Sequence, residues 1–149
     1  DGIGSNVKTG YKLDDLYASL GSLPSESITV FLDACFSGAN RSGEMLVPSL
    51  RGVVIKANSS APRGNVVVFS AAQGYETAVP YSEESHGMFT YYLLKKLQET
   101  SGNVAYSDLA DYINKNVKKE AFLINEKPQT PVVATSTAAS STWGNMTLK

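Results

Sequence analysis

The sequence has little of several features that commonly define a function class. Its 149 residues contain one cysteine and one histidine, and the formal net charge is −1. One cysteine cannot form a disulfide within the chain, so the sequence slightly favours a reducing compartment such as the cytoplasm. A net charge near zero provides no bulk attraction to nucleic acid or to an anionic membrane. No apolar run approaches the roughly 20 residues that span a bilayer, so we expect neither nucleic acid nor a membrane as a partner.

Two apolar runs have the length and composition of buried strands. They are ITVFLDACF at residues 28–36 and VVVFSAA at residues 66–72, and neither alternates between polar and apolar positions. Unbroken runs rich in β-branched residues are typical of parallel strands that are buried on both faces. A third run, PQTPVVAT, carries prolines at its start, as suits the first position or the edge of a sheet. The last segment, WGNMTLK, is expected to form a short final strand.

Helical patterns lie between these strands. Apolar residues recur at helical spacing over residues 13–20, with Asp14 or Asp15 as a candidate cap. A second amphipathic pattern covers residues 88–97, and a third follows Ser107, a candidate N-cap. The alternation predicts one α/β domain over residues 1–149, a three-layer α/β/α sandwich around a mostly parallel sheet. Function in such domains lies at the carboxyl ends of the strands, where Cys35 and Ser70 fall.

The segment FLDACFSG places the single cysteine at the end of the first predicted strand. A cysteine at a strand-to-loop turn exposes Sγ, while its own N–H can point at a developing oxyanion. The segment resembles the nucleophile strand of clan CD cysteine peptidases, and its Asp33-Ala34-Cys35 with Ser37-Gly38 is similar to the metacaspase type of caspase-like enzyme. VVVFSAAQ, HGMFTYYLLKKL, YSDLADYI and PQTP resemble later segments of the same family. The other interpretation of Cys35 is a buried structural thiol.

The resemblance implies a cysteine endopeptidase that acts on peptides or proteins and cleaves after Arg or Lys. Cys35 would be the nucleophile, and the chemistry requires no cofactor. In metacaspase-like members the residue that matches Asp33 forms an acidic S1 pocket, which Ser70 at the neighbouring strand end would also line. The alternative is structural: an Asp33 carboxylate bonded to loop N–H groups, and a Ser70 hydroxyl bonded to a turn.

A weaker pattern concerns a metal. Asp1, Asp14 and Asp15 precede Cys35 at a spacing similar to that of the calcium ligands of calcium-dependent metacaspases. The aspartate that those enzymes carry beyond the cysteine is missing, and Ser42 stands near its place. Helix capping explains Asp14 and Asp15 equally well, so calcium is one of two interpretations.

The catalytic histidine of this family is expected roughly 50 residues before the cysteine. Only 34 residues precede Cys35, and none is histidine. The resemblance therefore implies that the histidine and the first strands belong to a segment upstream of Asp1, so that this domain is incomplete at its N-terminus and needs an N-terminal fragment as partner. The single histidine, His86, is interpreted as a bystander before a helix, the alternative being a substitute base or substrate contact.

Two other functions compete with the peptidase. One is a catalytically inactive caspase-like binding module, or pseudo-peptidase, that never had the base. The other is a nucleotide-binding domain, which is disfavoured because no glycine-rich phosphate loop follows a strand. A His-Gly motif encoded upstream of Asp1 would favour the peptidase over the binding module.

The connection between the two apolar runs carries candidate self-cleavage sites. Arg51, Lys56 and Arg63 lie there among Gly, Ser, Asn and Pro residues, which favour exposed and mobile backbone. Caspase-like enzymes are often cut in this connection, so an enzyme specific for Arg or Lys could cut itself there. The other interpretation is a solvated loop with ordinary surface charges.

Overall fold

The computed structural model describes residues 11–34, 61–74 and 76–149. Asp1, Cys35, Arg51 and Lys56 lie outside these residues, so the predictions made for them stay predictions. No helix in the described ranges combines the length and apolar character that a membrane crossing requires. The described elements, in chain order, are α1 (Leu13–Gly21), β1 (Ile28–Leu32), β2 (Val66–Ser70), β3 (Pro80–Tyr81), β4 (His86–Gly87), α2 (Met88–Thr100), α3 (Tyr106–Asn125) and β5 (Val132–Thr135).

The larger sheet is built around β2. Its strand order is β1-β2-β5, with β1 parallel and β5 antiparallel to β2. The prediction that the strands before Cys35 and Ser70 are adjacent and parallel is confirmed, and Leu32 lies opposite Ser70. The antiparallel β5 makes the sheet mixed. Of the described strands, β1 has a neighbour on one side only, and all five of its residues are half-buried although four of them are apolar.

The apolar residues of β2 explain why that run does not alternate. Val67 and Phe69 belong to a core cluster with α2 and α3, whereas Val66 and Val68 pack with Tyr17 of α1. Both faces of the strand are therefore covered by helices, so no position on it gains from being polar. The Phe69 ring is surrounded by aromatic rings, with centroid distances of 5.2 Å to Phe31, 5.4 Å to Tyr106 and 6.5 Å to Trp143.

Two helix caps differ from the sequence-based expectation. The N-cap of α1 precedes both aspartates, so Asp14 and Asp15 lie in the first turn, where carboxylates stabilise the positive end of the helix dipole. The N-cap of α3 is Ala105 rather than Ser107. The Ser107 hydroxyl instead donates a hydrogen bond of 3.0 Å to the Gly144 carbonyl.

The expectation of a final strand in WGNMTLK is wrong. The segment contains a single 3₁₀ turn at Trp143–Asn145. The reason lies in its partners, because its carbonyls accept bonds from the start of α3, including one of 2.9 Å from the Tyr106 N–H to Met146 O. The short antiparallel pair β3–β4 was also not predicted.

Gly64 occupies a position where a side chain would clash. Its φ is +68°, and a Cβ there would lie 2.7 Å from the carbonyl oxygen of Gly21, at the end of α1. We expect Gly64→Ala to lower the free energy of unfolding by about 2 kcal/mol, because a left-handed φ and a backbone clash add. Urea unfolding of the two proteins measures this loss.

Gly74→Ala is the matched control. A Cβ at Gly74 meets no atom within 4 Å and its φ is not in the left-handed region. This variant should change the free energy of unfolding by no more than about 0.5 kcal/mol. Equal losses in the two variants would contradict the special role of the Gly21–Gly64 contact.

Candidate functional site

The carboxyl ends of β1 and β2 form one edge of the sheet. Leu32 and Ser70 end the two strands in register, and the Ala71 N–H extends the ladder by donating 2.8 Å to Leu32 O. Both strands end here, so Asp33, which follows Leu32, shares this edge with Ser70. The prediction that Ser70 ends its strand is confirmed. Since β1 stops at Leu32, strand alternation does not define the direction of the Cys35 side chain, which lies outside the described residues.

The Asp33 carboxylate is held by α2. The Thr90 hydroxyl, in the first turn of that helix, donates a hydrogen bond of 2.5 Å to Asp33 Oδ2, and Asp33 is half-buried. A hydroxyl donor orients a carboxylate without cancelling its charge, and the nearby helix N-terminus favours the anion. The arrangement therefore holds the Asp33 carboxylate in a fixed orientation at the sheet edge.

A buried amide lies behind the loop that follows β2. Gln129 is 1% exposed. Its Oε1 accepts a hydrogen bond of 2.9 Å from the Val79 N–H, and its Nε2 donates one of 2.9 Å to Ala71 O. Next to it, Glu76 accepts 2.5 Å from the Thr130 N–H. Sequence reasoning missed these residues and Thr90, because isolated polar residues in loops and at helix starts carry no periodic signal.

These residues lie within a recognised domain. The family model of the caspase domain matches residues 5–141, which include Cys35, Asp33, Ser70 and the buried amide Gln129. The chain belongs to the caspase domain family. No curated protein and no solved structure gives a significant match. The suspected relationship to caspase-like peptidases is thereby confirmed, and at the family level the caspase domain is a cysteine peptidase domain that acts on proteins or peptides.

The histidine of this caspase domain lines a groove. His86 is exposed in β4, opposite Tyr81, and lines a groove of about 430 Å³ together with Tyr91 and Lys95. The lining of this groove does not include Asp33 or Ser70. The interpretation of His86 as a bystander stays a prediction.

Tyrosines attach the β3–β4 pair to α2. Ring centroids are 5.0 Å apart for Tyr81 and Tyr91, and 5.0 Å apart for Tyr91 and Tyr92. Burial raises the pKa of the Tyr92 phenol above its usual range, so this phenol stays uncharged at neutral pH. Packing of these rings therefore explains the tyrosines of the HGMFTYYLL segment without a catalytic role.

Two of the three aspartates of the calcium hypothesis belong to the described residues. Asp14 and Asp15 are both exposed on the first turn of α1. In the part of the caspase domain that the structure describes, no three His, Cys, Asp or Glu residues are grouped to hold a metal ion. Asp1 and Ser42 lie outside that part, so calcium binding stays a prediction.

Proposed function

We propose that this caspase domain carries the nucleophile of a cysteine endopeptidase that cleaves after Arg or Lys. The observation that carries the proposal is the position of Asp33, a half-buried carboxylate at the sheet edge two residues before the cysteine. The hydrogen bond from Thr90 fixes this carboxylate in orientation. An oriented, partly desolvated anion two residues before the nucleophile in sequence would select a basic residue at P1, because an ion pair forms only with a cation that can reach it.

The proposed reaction follows the chemistry of cysteine peptidases. A histidine outside this sequence takes the proton from Cys35 Sγ, and the thiolate attacks the carbonyl carbon of the scissile bond. The histidine then protonates the departing amine as the C–N bond breaks, which leaves a thioester on Cys35. Water, deprotonated by the same histidine, hydrolyses the thioester and restores the thiol. Asp33 and Ser70 line the pocket for the P1 side chain throughout.

The single-sided pairing of β1 supports a partner segment. β1 is an apolar strand that is half-buried along its whole length and, among the described strands, is paired on one side only. Apolar edge strands are normally covered. We propose that a fragment N-terminal to Asp1 supplies the catalytic histidine and strands beside β1, which would complete a three-layer α/β/α sandwich.

Covalent labelling tests this function. The full-length protein is incubated with an arginyl chloromethyl ketone peptide, and the modified residue is located by mass spectrometry. Cys35 is the only cysteine in the 149 residues, so modification within this sequence is readily assigned. We expect rapid labelling of Cys35, slow labelling by the matched aspartyl reagent, and none in Cys35→Ala. An intact protein that neither reagent labels would favour the inactive binding module.

Self-processing follows if the enzyme cleaves after basic residues. Arg51, Lys56 and Arg63 lie between β1 and β2, and we expect cleavage after one or more of them in the wild type but not in Cys35→Ala. Mass spectrometry of the two full-length proteins after purification measures this. An intact connection in a wild type that cleaves basic peptides would contradict self-processing.

Cleavage after Arg63 is opposed by a backbone contact. The Arg63 side chain is exposed, but its carbonyl oxygen packs against Gly21, since a Cβ added there would lie 2.7 Å from that oxygen. Peptidases bind substrates in extended form, so the turn at Gly64 must open before the Arg63–Gly64 bond can be cut. We therefore expect cleavage after Arg63 to be slow in the wild type and faster in Gly64→Ala, in which this turn is weakened.

A further inference from the structure

One buried side chain joins the two ends of the loop that follows Ser70. This β2–β3 loop is described at residues 71–74 and 76–79, and it connects the sheet edge to β3. Ala71 begins the loop and Val79 ends it, and both are bonded to the same residue, Gln129. The amide therefore fixes the separation of the loop ends, because its donor and acceptor are each committed to one of them.

A second contact fixes the middle of the loop. Glu76 is 5% exposed, and its carboxylate accepts bonds from both the N–H and the hydroxyl of Thr130, at 2.5 Å and 3.0 Å. Gln73, inside the loop, donates 3.0 Å to Glu76 Oε1. Two successive residues that precede β5, Gln129 and Thr130, thus hold the loop at its two ends and at its centre.

We propose that Gln129, with Glu76 and Thr130, is a positioning unit that sets the shape of the β2–β3 loop for substrate binding. The proposal rests on the proposed function, in which Ser70 at the start of this loop lines the P1 pocket. Ala71, whose carbonyl accepts from Gln129, also continues the ladder to β1 by donating to Leu32 O. A shift of Gln129 therefore moves the backbone beside Ser70, at the edge that Asp33 shares.

The chemistry of the amide indicates why glutamine stands at this position. Its site needs one acceptor for an N–H and one donor for a carbonyl, and a primary amide supplies both within one planar group. A glutamate of the same shape keeps the acceptor but places an oxygen against Ala71 O. Loss of one partner at a buried polar site costs more than the hydrogen bond itself.

The experiment compares Gln129→Glu with wild type in the full-length protein. We expect KM for peptides with P1 Arg to rise about tenfold while kcat changes by less than about threefold, because loop geometry governs substrate binding. Hydrogen exchange of the Val79 amide should accelerate by a similar factor, because repulsion from Ala71 O displaces the carboxylate that accepts from this amide. Thr130→Val, which removes only the hydroxyl bond to Glu76, is the milder variant and should raise KM about twofold to threefold.

Asn114→Ala is the matched control. Asn114 Nδ2 donates 2.7 Å to Pro131 O, so it supports the same segment before β5 without touching the loop. Loss of this hydrogen bond should lower the free energy of unfolding but leave KM and the hydrogen exchange of the Val79 amide unchanged. If Gln129→Glu does not fold, Thr130→Val decides the outcome.

These measurements distinguish failure of the proposed function from failure of the positioning role of Gln129. A wild type that cleaves no basic peptide would overturn the proposed function. A wild type that cleaves them, with variants whose KM equals that of wild type, would overturn only the positioning role. Equal rises of KM in Thr130→Val and Asn114→Ala would also overturn it, because the effect would then reflect general destabilisation.

Discussion

Full-length protein carrying Cys35→Ala is expected to lose about 10⁴-fold or more of the wild-type kcat/KM for peptides with P1 Arg or Lys. Removing a nucleophile abolishes the covalent route and leaves only what binding and oxyanion stabilisation contribute. Initial rates on fluorogenic peptides measure the loss, and unchanged unfolding shows that the fold is intact. Activity within tenfold of wild type would show that Cys35 is not the nucleophile.

His86→Ala is the matched control for this experiment. His86 is exposed in β4 and lines a groove that does not include Asp33, so its removal should change kcat/KM by less than about twofold, within the range of a surface substitution. Residues 1–149 without the proposed N-terminal fragment should show no turnover. Turnover by these residues alone, lost in His86→Ala, would instead identify His86 as the base.

Replacing Asp33 by alanine is expected to reduce kcat/KM for substrates with P1 Arg or Lys by on the order of 100-fold. Loss of one partner of a desolvated ion pair typically costs a few kcal/mol, because the cation of the substrate is left buried and unpaired. A substrate library that varies only P1 measures the change. Unchanged activity, or a preference for P1 Asp, would refute the assignment of the pocket.

Three companion variants separate charge from hydrogen bonding. Asp33→Asn keeps an acceptor for Thr90 but removes the charge, so it should lose nearly as much activity as Asp33→Ala. Thr90→Val removes the donor that orients the carboxylate at 2.5 Å, and a loss of about threefold to tenfold is expected. Asp111→Asn removes an exposed carboxylate on α3 and should have no effect.

The central strand of the larger sheet, β2, could be predicted from the sequence because a strand that is buried on both faces is apolar at successive positions. Val66 to Phe69 form an unbroken apolar run, and the structure buries all four against helices on opposite faces. The same reasoning placed Ser70 at the strand end, where the run meets small residues. The direction of β5 could not be predicted in this way, since apolar content is the same for either orientation.

The site was predicted less completely than the sheet. Asp33 could be predicted as a site residue because a carboxylate in an apolar run is costly unless it has a partner. Its partner Thr90, and the pair Gln129 and Glu76, are ordinary polar residues in sequence, and their contacts span 50 positions or more. Only the fold brings them together, so local pattern could not identify them.

The connectivity of β2 has a kinetic consequence. Ile28 pairs with Val66, and Val67 pairs with Thr135, so every ladder of the larger sheet joins residues far apart in the chain. The α2–α3 pair is local by comparison and should form first during refolding, whereas strand pairing waits for slow loop closure. Until then the apolar β2 segment is exposed to other chains. Aggregation should therefore compete more strongly with refolding as the protein concentration rises. A polar substitution in β2 would slow both aggregation and refolding.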